Sequence, residues 1–134
     1  MKNLFTEGDK KHYSHIVIES DFAHFPDDKV HEVYSTFALT RDAEWCARLF
    51  VLEMKEEHEE GIGTEVHIEH HPPAFSNDEV QFEAIWGSLE GNELYCLVKA
   101  SVKDRIIASG YTKQKIVEKK KLEQLFNRIQ NNEN

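Results

Sequence analysis

"VYSTFALTRDAEWCARLFVLEMKEEHEEGIGTEVHIEHHPPAF", from Val33 to Phe75, decides the fold, because the period of its apolar residues changes partway along. Leu39, Ala43, Ala47, Phe50 and Met54 recur at spacings of three or four, the signature of one helix face. Ser35 or Thr36 supplies a hydroxyl to satisfy the orphan N–H groups at the helix start. The helix is predicted to run to about residue 58 and to stop before Gly61. Trp45, Leu49 and Leu52 fall on its far side, which predicts a central helix covered from more than one direction. After Gly63 the period drops to two. Val66, Ile68 and His70 point one way, and Glu65, His67, Glu69 and His71 the other. Pro72–Pro73 ends or bends this strand.

Upstream, "HYSHIVIES" (His12–Ser20) reads as a first strand, and "DFAHFPDDKVHE" reads as a loop. Downstream, Val80, Phe82, Ala84 and Trp86 alternate with polar residues, and Gly91–Asn92 supplies a turn. Leu94, Cys96, Val98, Ala100 and Val102 alternate again, "KDR" turns the chain, and "IIASGYTKQKIV" is a last strand. A short amphipathic helix at about 118–131 carries Leu122, Leu125, Phe126 and Ile129. The order of strand, long helix and four strands predicts an α+β fold, an antiparallel sheet with one long helix packed on it. A long central helix wrapped by a curved sheet of about five strands, the hotdog arrangement, is one member of that class. With no repeat and no linker, residues 1–134 read as a single domain.

The formal net charge of −9 argues against nucleic acid as a partner, since phosphate binding calls for a basic patch. The one basic run, Lys119–Lys121, reads as a solvated helix start. No apolar run of about 18 residues is present, so no membrane span is expected. The N-terminus lacks an apolar signal core. Cys46 and Cys96 have no CxxC spacing and read as reduced, buried thiols of a cytoplasmic protein.

Four features bear on chemistry. His70 shares the inward strand face with Val66 and Ile68, so it is either a hydrogen-bonded core histidine or a proton-transfer group lining a buried site. Glu65, His67, Glu69 and His71 share the outward face, where a solvated row is favoured over a metal site. Thr36 is a helix cap, or a hydroxyl at a helix N-terminus able to hold a developing oxyanion. Glu44, about two turns further on, borders the Ala43–Ala47 stripe as a surface glutamate or as a base or nucleophile.

Together these segments resemble a known family. "VYSTFAL" resembles the V-Y-[AS]-T-P-A-L helix start of fluoroacetyl-CoA-thioesterase-like proteins, a branch of the hotdog thioesterases. "GTEVHIEH" resembles that family's G-T-x-V-x-[IL]-x-H strand, and "IIASGYTKQKIV" its closing strand, I-G-x-G-x-H-x-R-x-x-[IV]. The resemblance covers about residues 13–126. It implies a hotdog homodimer, or dimer of dimers, that hydrolyses acyl-CoA to a free acid and CoA, with no cofactor beyond the CoA of the substrate. It implies Thr36, Glu44 and His70 as the catalytic trio, with Gly63 and Gln114 as substrate contacts. The chain also departs from the family. Phe37 stands at the family's proline, and Thr40, Arg41 and Asp42 make the first helical turn more polar. Thr112 and Gln114 replace the family's His and Arg, with Lys113 or Lys115 as alternative phosphate contacts or simple surface lysines. "PDDKV" lacks the aromatic gate of fluoroacetate-specific members, so fluoroacetyl-CoA is not the expected substrate. A non-catalytic hotdog protein that binds an acyl thioester or small apolar ligand is the alternative. A hotdog dehydratase would need an Asp–His motif that the chain lacks.

Overall fold

The computed structural model describes residues 1–133, without the side chains of residues 28–30. The chain runs β1 (Lys10–Ile16), a 3-10 turn (Glu19–Asp21), β2 (Phe22–Phe25), β3 (Asp28–Tyr34), α1 (Thr36–Met54), β4 (Glu59–His70), β5 (Glu79–Glu90), β6 (Glu93–Val102), β7 (Arg105–Glu118) and α2 (Lys119–Glu133). Five strands form one antiparallel sheet in the order β1-β5-β6-β7-β4, and α1 lies across it. This is the expected α+β hotdog arrangement.

The sheet forms where the alternation is cleanest. Val80↔Val102, Phe82↔Ala100, Ala84↔Val98 and Trp86↔Cys96 are cross-strand partners, and all eight side chains are buried under α1. The β5–β6 turn passes through Gly91 at φ 60°, and the β6–β7 turn through Lys103 at φ 54°. From the helix, Leu39, Ala43, Ala47, Phe50 and Met54 meet this floor as the period predicts. Phe50 packs edge-on to Phe5 and Trp86 at centroid distances of 4.9 and 5.5 Å.

Several expectations are corrected. The segment read as a loop forms the β2–β3 hairpin, a separate two-stranded sheet with bulged register. Its alternation is short and interrupted by Pro26, which hides it in the sequence. The first strand occupies Lys10–Ile16, earlier than His12–Ser20. The helix ends at Met54 and β4 begins at Glu59, because "EEGIG" is extended despite its charges and glycines. Helix α1 is not covered from two directions within one chain: Trp45 is 42% and Leu52 40% exposed, since the sheet lies on one side only. Likewise Val66 faces the helix side but stays 37% exposed, because β4 is an edge strand. Helix α2 includes most of the polar C-terminal tail and buries none of its described residues.

A bulge in β4 positions the site. The β4–β7 register pairs Gly63 with Gln114 and Glu65 with Lys113, leaving Thr64 as the extra residue. Strict alternation would put Gly63 and His70 on opposite faces. The bulge places both on the face toward α1.

Candidate active site

Ser35, not Thr36, caps α1: its Oγ accepts a hydrogen bond from the Ala38 N–H at 3.0 Å. Thr36 is the first helical residue, and its hydroxyl is free for another partner. That partner is His70, whose Nδ1 lies 3.1 Å from Thr36 Oγ1. His70 is half-buried, and its Nε2 has no hydrogen-bond partner among the described residues. Burial lowers its pKa. The Pro72 backbone opposes this and His71 reinforces it, leaving the ring below its ordinary value. A ring that is neutral at pH 7 can accept a proton.

Glu44 projects from the exposed side of α1 toward β4. A Cβ built on Gly63 would lie 3.0 Å from Glu44 Oε2, so the carboxylate packs directly against the Gly63 backbone. Thr36, Glu44, Gly63 and Gln114 line one cavity of about 580 Å³, together with Arg41 and Arg48. Gln114 is 6% exposed, and its Nε2 has no partner among the described residues; the same holds for Thr112 Oγ1 at 2% exposure. Lys113 and Lys115 alternate with Thr112, Gln114 and Ile116 and face away from this cavity, with Lys113 paired to Glu65 at 3.8 Å. On the same outer face His67 stacks on Tyr111, their ring centroids 5.5 Å apart. The expectation resting on "PDDKV" lies partly outside the described residues, since the side chains of residues 28–30 are among those not described.

Sequence reasoning missed a buried polar cluster at the root of the site. Asp42 is 5% and Asp21 2% exposed. Tyr34 donates its hydroxyl hydrogen to Asp42. His15 Nε2 lies 2.6 Å from Asp21 Oδ2, and the Ile18 N–H donates to the same oxygen at 3.0 Å. Arg41 bonds both carboxylates. The Ser35 N–H donates to the Asp21 carbonyl at 2.9 Å, which ties the cluster to the start of α1. A signal existed: residue 42 falls within the inward stripe of Leu39, Ala43 and Cys46, where an aspartate needs partners. Burial and the Asp42 carboxylate raise the Tyr34 pKa, so the phenol stays a donor.

Asp21 carries a stability prediction. Burial pushes its carboxyl up, but the Ile18 N–H, His15 and Arg41 together outweigh that and hold it below its ordinary 3.8. A lowered carboxylate pKa contributes stability above the unfolded value, lost as pH falls through the folded one. Asp21→Asn is therefore expected to melt well below wild type at pH 7, the gap narrowing below about pH 4. Thermal unfolding across pH checks this, and a gap that stays constant into acid contradicts it.

Known proteins share the family and the fold of this chain. The family model described as "FlK: Fluoroacetyl-CoA-specific thioesterase" matches residues 17–120. The chain belongs to this family. Among solved structures, a Thermus thermophilus hypothetical protein described as a thioesterase superfamily member superposes with a TM-score of 0.91 at 31% identity, covering 97% of this chain and 96% of that one. The fluoroacetyl-CoA thioesterase FlK superposes with a TM-score of 0.86 at 20% identity, covering 94% of this chain and 98% of that one. A hot-dog-like protein from Thermanaerovibrio acidaminovorans does so at 0.83 and 22% identity, over 92% of this chain and 93% of that one. No curated protein matches the chain by sequence.

Proposed function

We propose that this family member is an acyl-CoA thioesterase acting through Glu44, His70 and Thr36. The observation that carries the proposal is that Thr36, hydrogen-bonded to His70, lines the same cavity as Glu44, whose carboxylate packs on Gly63; His70 itself is not in that lining. Glu44 serves as base or nucleophile toward the thioester carbonyl. The N-terminus of α1 and the Thr36 hydroxyl stabilise the oxyanion. The neutral His70 ring takes and returns protons. In the net reaction a water oxygen bonds to the carbonyl carbon, the C–S bond breaks, and the proton lost by water ends on the thiol.

The reading includes a homodimer formed in the cytoplasm. Edge strand β4, with Val66 37% exposed, and the α1 residues Phe37 and Trp45, 82% and 42% exposed in the cavity lining, support the second copy. The free, buried thiols of Cys46 and Cys96, pushed up to about 11 and about 12 by burial, support a reducing compartment. No described helix is long and apolar enough to cross a membrane.

An acyl-CoA panel assayed by release of free thiol, on wild type and a Glu44 variant, tests the proposal. Wild type should hydrolyse at least one thioester. Because the His70 pKa is lowered, kcat/KM should hold below the ordinary imidazole value of 6.5 and fall only at more acid pH. A limb at or above 6.5 contradicts this role. Thr112 and Gln114, buried and standing for the family's His and Arg, with Thr112 Oγ1 and Gln114 Nε2 unpartnered among the described residues, favour a second reading: a protein that binds the thioester without cleaving it. A thermal shift with CoA esters and no thiol release would select that reading.

A further inference from the structure

Arg41 stands between two cavities. One is the 580 Å³ cavity that contains Glu44. The other, about 440 Å³, lies between β2 and the start of α1 and is lined by Phe22 and Phe25. Thr36, Phe37 and Arg41 line both.

The guanidinium is held on one edge only. Of its five N–H donors, Nε and one on Nη2 form a fork on Asp42, at 3.1 and 3.0 Å, and the second on Nη2 reaches Asp21 Oδ1 at 3.1 Å. The two donors on Nη1 have no partner among the described residues, while the Arg41 side chain is 52% exposed. The two carboxylates beneath it are almost wholly buried and fixed by Tyr34, His15 and the Ile18 N–H. A surface arginine normally loses rotamer freedom when it binds. This one is already held by its carboxylate partners, and it lines both cavities together with Thr36.

Charge limits what the Nη1 edge can take. Two carboxylates surround the Arg41 guanidinium, Arg48 in the same cavity is paired with Glu60 at 3.1 Å, and Glu44 also lines the cavity, so no net positive charge is left to draw in a phosphate. Short-range hydrogen bonding survives that cancellation. An acyl-CoA offers uncharged carbonyl oxygens of the right kind, as amides on its thiol arm and, in some thioesters, as an oxygen on the acyl arm. We infer that Arg41 is a specificity residue whose Nη1 edge donates to an uncharged carbonyl oxygen of the bound thioester. The inference rests on the acyl-CoA reading above.

Arg41→Lys keeps a cation between Asp21 and Asp42 and removes the Nη1 edge. Dissociation constants for pantetheine, for CoA and for a non-hydrolysable thioether analogue of an acyl-CoA, measured calorimetrically on wild type and variant, test the inference without needing turnover. The expected result is a rise of about tenfold in Kd, the size of one lost hydrogen bond. A rise for pantetheine and CoA alike places the carbonyl on the thiol arm, and a rise for the thioether analogue alone places it on the acyl arm. A rise for CoA with pantetheine unchanged means a phosphate contact and overturns the inference. So do unchanged constants for all three ligands, or a wild type that binds none. If Arg41→Lys unfolds, Asp42→Asn, which loosens the fork, replaces it; a smaller rise is then expected, and none overturns the inference. Altered constants with no thiol release from any acyl-CoA would sink the hydrolase reading alone.

Discussion

Glu44→Gln is expected to lower kcat for the best acyl-CoA substrate by about 10² to 10⁴, with a much smaller change in KM. The substitution is nearly isosteric, so the amide still fits against Gly63, where Glu44 Oε2 now packs. It removes the one property the mechanism needs, a group able to take a proton from water or attack the carbonyl. The loss corresponds to about 3–5 kcal/mol of barrier. Stability should hardly change, because Glu44 is exposed and no hydrogen bond to another described residue fixes it. Rate and stability thus separate: thermal unfolding stays within a few degrees of wild type while thiol release collapses. If the glutamine protein keeps its rate on every good substrate, Glu44 has no part in the chemistry and the trio assignment falls with it.

The parts of the fold that were legible in the sequence are those where one period dominates. The stripe Leu39, Ala43, Ala47, Phe50 and Met54 and the alternating inward positions from Val80 to Val102 are buried as their periods predict, whereas Trp45 and Leu52 on the far side of the helix stay exposed. What was illegible depended on a local break in the period. The bulge at Thr64 shifts Gly63 to the same face as His70, against strict alternation. Gly63 itself was the available signal, because glycine inside a strand often marks a bulge or a close approach. The Thr36–His70 contact depends on Ser35 taking the cap, and two adjacent hydroxyl residues compete for that position on equal terms in the sequence. The Asp21–Arg41–Asp42 cluster was hidden for another reason: His15, Asp21 and Tyr34 come from three separate elements, and no spacing rule connects them. The site is therefore built on two levels. Thr36, Glu44 and Gly63 at the cavity follow the pattern that the sequence resembles, while Arg41 and Asp42 of the cluster lie in the polar first turn in which this chain departs from it.

Gly110→Ala is expected to be the most damaging single-methyl change in the protein. A Cβ at this position of β7 would lie 1.8 Å from the His67 carbonyl oxygen and 3.1 Å from Ile68 Cα, both backbone atoms of β4. No rotamer change relieves a clash with backbone, so β4 must move away from β7. Overpacking of this kind costs about 3 kcal/mol or more, which lowers the melting temperature by about 10 °C for a chain of this size. The shift also reaches the site, because β4 is the edge strand that carries both Gly63 and His70, paired with Gln114 and Ala108. Thiol release should fall even at temperatures where the variant is fully folded. Gly91→Ala is the control: it adds the same methyl at φ 60° in a turn with nothing within 4 Å. It meets only backbone strain, of about 1 kcal/mol, and lies in the exposed β5–β6 turn, outside the lining of the cavity, so it should melt a few degrees lower with catalysis intact. Equal melting temperatures for the two variants would mean that β4 gives way freely at Gly110, and that the edge strand is not the rigid support on which the positions of His70 and Gly63 depend.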